Sequence, residues 1–133
     1  MSIDGRLRTI FRGKFPDWQW TSVETGAVAP GTPDAEWCAP GGISGWIEFK
    51  QTAGWKVKFQ PLQLPWIHRR ARLGGRVFIA VRRKKDFLYI IPGSDILTLN
   101  DLGLKAFKPI DGEGARNWDW LEVENCLLQE NIP

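Results

Sequence analysis

The chain has 133 residues, 43% of them hydrophobic and 25% charged. That balance allows one compact domain over residues 1–133 and excludes a disordered chain or two ordinary domains. A formal net charge of +3 excludes a uniformly cationic protein, yet Lys and Arg concentrate between Lys56 and Lys85, which points to a local anionic partner. Cys38 and Cys126 stand far apart with the lone His68, so no zinc site is readable. No apolar leader or membrane-spanning run appears, and the expectation is a soluble, cytoplasmic protein.

In chain order, residues 2–11 read as a short amphipathic helix. Ser2 caps it, Ile3, Leu7, Ile10 and Phe11 share a face, and Gly13 and Pro16 end it. Residues 18–25 alternate like a strand, and GAVAPGTP at 26–33 is turn-rich. Strands are expected at 34–38 and 44–51, joined by the APGG turn at 39–42, which completes a three-strand meander. Pro61 suits a helix start and Gly74-Gly75 a stop, giving a helix over 61–73. RVFIAV (76–81) and FLYII (87–91) read as apolar strands around the basic turn RRKKD (82–86), with tail helices near 94–102 and 117–129. The order α-β-β-β-α-β-β-α predicts an α/β fold, a mixed central sheet flanked by helices.

The chemistry-bearing pattern lies on the second and third strands. Pro33-Asp34 opens one, and Glu48-Phe49-Lys50 sits within the other. Alternation sends Glu48 and Lys50 to one face and Phe49 into the core, and a hairpin brings Asp34 near Glu48. Two carboxylates from different segments are hard ligands suited to Mg²⁺, and a neighbouring amine favours hydroxide and offsets charge on a phosphodiester under attack. An ExK pair alone more often marks a solvated strand face. Here Asp34 follows a Gly-Thr-Pro turn, the pair alternates with Ile47 and Phe49, and Gln60, Gln63 and a basic cluster follow.

Taken together, VETGAVAPGTPDAEW…GISGWIEFKQT and QPLQLPWIHRRARLGGRVFIAV resemble the small PD-(D/E)xK nucleases of bacteriophages, relatives of the VRR-NUC and Holliday-junction resolvase groups. The resemblance covers about residues 18–83. It implies a restriction-endonuclease-like core, metal binding by Asp34 and Glu48, water activation by Lys50, and support from a helix glutamine, for which Gln63 fits better than Gln60. The further acid usual in this family, often a Glu on the first helix, is missing here, since residues 2–15 contain no Glu and only Asp4. Glu24, before the GTPD turn, is favoured over Asp4, and Glu36 is a weaker candidate. The implied activity is Mg²⁺- or Mn²⁺-dependent DNA endonuclease, on branched DNA such as a Holliday junction and as a homodimer, since symmetric cutting needs two sites. The alternatives are a structure-independent DNA nuclease and a non-catalytic DNA-binding protein on the same fold.

Beside such a site, Lys56, Lys58, His68, Arg69, Arg70, Arg72, Arg82, Arg83, Lys84 and Lys85 become candidate DNA contacts, although a charge cluster alone is ordinarily a solvated face. Trp55 is a candidate for base stacking or a dimer contact, while most of the eight Trp are expected in the core. Gly41-Gly42 and Gly112-Glu113-Gly114 lack the Lys-Ser/Thr of a phosphate-binding loop, so nucleotide hydrolysis is not expected.

Overall fold

The computed structural model describes residue 4 and residues 6–23 and 30–129. The elements are α1 (Leu7–Lys14), β1 (Gln19–Ser22), β2 (Ala35–Ala39), β3 (Ile43–Thr52), α2 (Gln63–Arg72), β4 (Val77–Arg83), β5 (Phe87–Pro92), α3 (Ile96–Leu102) and α4 (Trp120–Leu128). Short 3₁₀ turns at Gly93–Asp95 and Leu104–Ala106 flank α3. The five strands lie in the order β1-β2-β3-β4-β5. All neighbours are antiparallel except β3 and β4, which run parallel. Parallel neighbours need a crossover, and α2 supplies it.

The sheet is covered on both faces. On one, Leu7 and Phe11 of α1 and Val123 and Leu127 of α4 pack with Ile47, Phe49, Phe78 and Ala80. On the other, Ile67 and Ala71 of α2 and Ile96 and Leu99 of α3 pack with Val77, Ile79, Val81 and Tyr89. Residues Val77 to Val81 are buried on both faces, which explains why this strand reads as an unbroken apolar run. The result is a mixed α/β fold with helices on each side of a five-stranded mixed sheet. No helix among the described residues is long and apolar enough to cross a membrane.

Several boundaries move from their sequence expectations. The first helix starts at Leu7 and runs through Gly13 to Lys14. Its entry is a turn in which the Asp4 carboxylate accepts the Arg6 N–H at 2.9 Å and the Leu7 N–H reaches the Asp4 carbonyl at 3.1 Å. Ser2 and Ile3 lie outside the described residues. The first strand ends at Ser22. The crossover helix starts at Gln63, two residues past Pro61, so Pro65 falls in its first turn, where no helical partner is lost. Arg82 and Arg83 extend β4, and the turn is confined to residues 84–86. The last helix begins at Trp120, because the Asp119 side chain caps it by accepting the Glu122 N–H.

Two glycines permit close approaches, one beside the site and one within the sheet. Gly31 has φ +89°, and a Cβ there would sit 2.3 Å from the Leu62 carbonyl oxygen, so the turn before Asp34 can lie against the start of α2 only without a side chain. Gly45 pairs with Trp37 across β2 and β3, and a Cβ would meet the Trp37 ring at 2.6 Å and Arg76 at 2.8 Å. The Gly45→Ala variant should therefore lose about 1–3 kcal/mol to overpacking, seen as a lower urea midpoint at unchanged slope. An unshifted midpoint would show that Trp37 yields without cost.

Candidate active site at the fork of two strands

β2 begins at Ala35, opposite Ile47, whereas β3 continues to Thr52. Beyond that point β3 has lost its antiparallel neighbour, and its inward-facing N–H groups need other acceptors. Asp34 fills the gap. Its Oδ2 accepts the Phe49 N–H at 2.9 Å, and its own N–H donates to Glu48 Oε1 at 3.0 Å. Where the strands part, the Glu48 carboxylate is thus tied to the Asp34 backbone and the Asp34 carboxylate to the backbone of Phe49, the residue after Glu48.

Glu48 is 3% exposed and, among the described residues, is buried as a charged side chain alongside core hydrophobics. Its Oε2 accepts a hydrogen bond from Gln63 Nε2 at 2.7 Å and lies 3.3 Å from Lys50 Nζ. Gln63 Oε1 accepts from Lys50 Nζ at 2.9 Å and from the Gln60 N–H at 2.8 Å. One amide at the helix start therefore holds the carboxylate with its nitrogen and the amine with its oxygen, a polarity that fixes its orientation. Phe59 supports the amine from another side, with Lys50 Nζ 5.0 Å from its ring centroid.

The electrostatics of the pair are those of charges short of compensation. Burial lifts the Glu48 pKa to about 7, and the neighbouring Asp34 carboxylate adds to the rise against the opposing pull of Lys50 and Gln63. Burial likewise raises Asp34, opposed by the Phe49 N–H, Arg8 and Lys50 and reinforced by Asp4. Arg8 approaches Asp34 Oδ1 at 3.6 Å. Two desolvated oxygen donors that resist joint ionisation suit a hard divalent cation, which would relieve both penalties at once. Asp34 and Glu48 would hold it.

The open side of this constellation is a cleft of about 1040 Å³ lined by Asp4, Arg8, Asp34, Glu48, Lys50 and Gln63 and by Lys56, Lys58 and Lys84. Of the sequence candidates, Asp34, Glu48, Lys50 and Gln63 are brought together, and three of the ten basic candidates join them. Glu24 lies outside the described residues, while Asp4, the less favoured upstream acid, lines the cleft. Gln60 contributes its backbone N–H. Glu36 faces Thr21 and Trp46 within the sheet and is not part of the cleft lining.

The other basic candidates are placed elsewhere. Arg70 lies over Trp66 and Trp46, 4.6 and 5.5 Å from their ring centroids. Arg82 lies 5.3 Å from the Trp118 ring and donates to the Lys85 carbonyl, and Arg83 lies 3.7 Å from Trp55. Arg69, Arg72 and Lys85 are exposed, and His68 is half-buried on α2 with a buried Nδ1 that has no hydrogen-bond partner. Two contributors were not foreseen. Arg8 lies in the first turn of α1 and Asp4 in the turn that precedes it, and nothing local in the sequence marks Arg8 or Phe59 as part of the site.

A second acidic group, Asp111, Asp119 and Glu122, is the one trio of potential ligands within metal-binding spacing among the described residues. Asp111 and Asp119 are exposed, and Asp119 is already committed to capping α4. The chain matches no family model, and comparison with curated proteins and with solved structures likewise finds no match.

Proposed function

We propose that the chain is a Mg²⁺- or Mn²⁺-dependent endodeoxyribonuclease on a restriction-endonuclease-like core. The observation that carries this reading is the convergence of Asp34, Glu48 and Lys50 at the fork of β2 and β3, tied together by Gln63. A bound divalent ion supplies Lewis acidity toward the phosphodiester and a water of lowered pKa. Asp34 and Glu48 would hold that ion, and Asp4, which lines the same cleft, offers a further carboxylate for an outer contact. Lys50 holds and orients the attacking water and faces the charge that develops on the phosphate. Gln63 keeps the amine from collapsing fully onto Glu48. Lys56, Lys58 and Lys84 line the approach and suit the phosphates flanking the cut.

Branched DNA is the proposed substrate, cut by a homodimer with one such cleft per subunit. The deciding experiment compares a four-way junction, a linear duplex and a single strand with Mg²⁺ or Mn²⁺. Wild type should cut the junction, Lys50→Ala should be slower by about 10²–10³-fold, and Glu48→Ala should show no divalent-dependent cleavage. Undiminished cutting by Glu48→Ala would remove the site from the chemistry. Tight DNA binding by wild type with no cleavage of any form would make the chain a DNA-binding protein instead.

A further inference from the structure

Trp55 stands on the boundary between two concavities. It lines the cleft that holds Asp34, Glu48 and Lys50, and it also walls a second hollow of about 460 Å³. The other walls of that hollow include the rings of Phe87, Tyr89 and Phe107 and the cations of Arg83 and Lys105. Trp55 is 39% exposed, whereas Trp18, Trp37 and Trp118 are buried within the core.

This exposed ring is built in place. The Trp55 carbonyl accepts the Leu104 N–H at 2.8 Å, and Thr52 Oγ1 donates to the Lys56 carbonyl at 2.9 Å. Gly103 has φ +75°, and a Cβ there would lie 2.7 Å from the Trp55 carbonyl oxygen. The loop backbone is therefore pinned against the α3 corner at the residue that carries the indole. Ordering costs are met before any ligand arrives.

The charge completes the pattern. Arg83 lies 3.7 Å from the Trp55 ring centroid and 5.6 Å from that of Phe87, and Lys105 lies 5.5 Å from Trp55. Among the described residues neither Arg83 nor Lys105 is ion-paired with a carboxylate. Flat rings with uncompensated cations suit a flat, electron-rich group attached to an anion. An apolar peptide would leave the cations unused, and an intact duplex offers no free base face.

We infer that this hollow receives the base of an unpaired DNA nucleotide adjacent to the phosphodiester in the cleft. The inference rests on the nuclease reading for what the cleft holds. Because Trp55 belongs to both concavities, base and phosphate come from neighbouring nucleotides. Arg83 serves the hollow and Lys84 the cleft. The substrate class narrows to DNA with an unpaired nucleotide at the cut, as at a flap, a frayed end or a branch point. Fully paired DNA must first expel a base, at the cost of unstacking it.

The test measures affinity without divalent ions, so that binding is read apart from cleavage. Fluorescein-labelled duplexes carry a short single-stranded thymidine arm, with an abasic site placed at each arm position in turn. Wild type should bind the armed duplex more tightly than the blunt one and should lose about 10-fold at one abasic position. Trp55→Ala should bind all armed duplexes at the level of that weakened position, and Trp55→Phe should restore the dependence. Equal weakening of blunt and armed DNA by Trp55→Ala, or no preference of wild type for the arm, overturns the inference. Cleavage of the same DNAs with Mg²⁺ or Mn²⁺ is scored separately. Failure to cut anything rejects the nuclease reading while the affinity pattern still decides the hollow.

Discussion

Without divalent cations, the folded protein should lose stability as pH rises from about 4.5 to above 7, and Mg²⁺ should reverse the loss. Glu48 ionises at about 7 in the fold against an ordinary value of 4.5. Between those values the folded state keeps a proton that the unfolded chain has released, so raising pH favours unfolding. The penalty begins near the unfolded value and is complete above the folded one. At 1.36 kcal/mol per pKa unit it amounts to about 3 kcal/mol. Burial is its main cause, and the Asp34 carboxylate is next. Asp34 is itself raised by burial and adds a slope of the same sign.

A cation that binds the two ionised carboxylates of the native state stabilises it by mass action, most strongly at pH values where both are charged. Urea unfolding at pH 5 and pH 8, with chelator and with Mg²⁺, reads both effects. The Glu48→Gln variant keeps an acceptor for the Asp34 N–H but cannot ionise, so its stability should vary less with pH and respond little to Mg²⁺. A variant with the wild-type slope would show that Glu48 is not the titrating group. Absence of any Mg²⁺ stabilisation of wild type at pH 8 would rule out the carboxylate pair as a cation site.

Replacing Phe11 with alanine should cost about 3–5 kcal/mol. The ring is fully buried and touches four others, with centroids 5.3 Å from Phe49, 5.3 Å from Trp120, 6.2 Å from Phe15 and 6.4 Å from Trp20. Three of these contacts are edge-on, an arrangement that adds to burial alone. Phe49 lies between Glu48 and Lys50, so the same cavity loosens the strand that aims both groups. The variant should melt at lower temperature and, if the proposed nuclease reading holds, cleave more slowly where it remains folded. Leu121→Ala, at a side chain 68% exposed, is the control and should change stability by less than about 0.5 kcal/mol. Equal stability of Phe11→Ala and Leu121→Ala would show that the α1 face is not a core.

Much of the site was legible because it rests on rules of period two. Glu48 and Lys50 share a face and Phe49 the other in any strand, and Pro33 fixes where the preceding strand opens. The order of elements followed from turn residues such as Gly74-Gly75 and from the apolar run of β4. What escaped depends on contacts between segments distant in sequence. Arg8 reaches Asp34 across 26 positions, a pairing that no local spacing encodes. The basic residues look alike as text, yet Lys84 enters the cleft while Arg70 and Arg83 lie on aromatic rings, because neighbouring strands and helices decide where each side chain finds room. The start of α2 shifted to Gln63 because its side chain and backbone bond reciprocally with Gln60, a closure that propensity at Pro61 does not reveal.

The parallel pairing of β3 with β4 also has a kinetic meaning. Asp34 and Glu48 lie in the early meander, whose antiparallel contacts close between near neighbours in sequence. The partner of Glu48 in β4 is Ile79, so the strand bearing the carboxylate gains its second neighbour only after the intervening helix has docked. Such long loop closures form late relative to local hairpins. During synthesis the acidic pair is made first, and the amide that spaces it from the amine is set firmly only when the crossover seats. An incompletely folded chain would then carry the two carboxylates and the amine without their alignment.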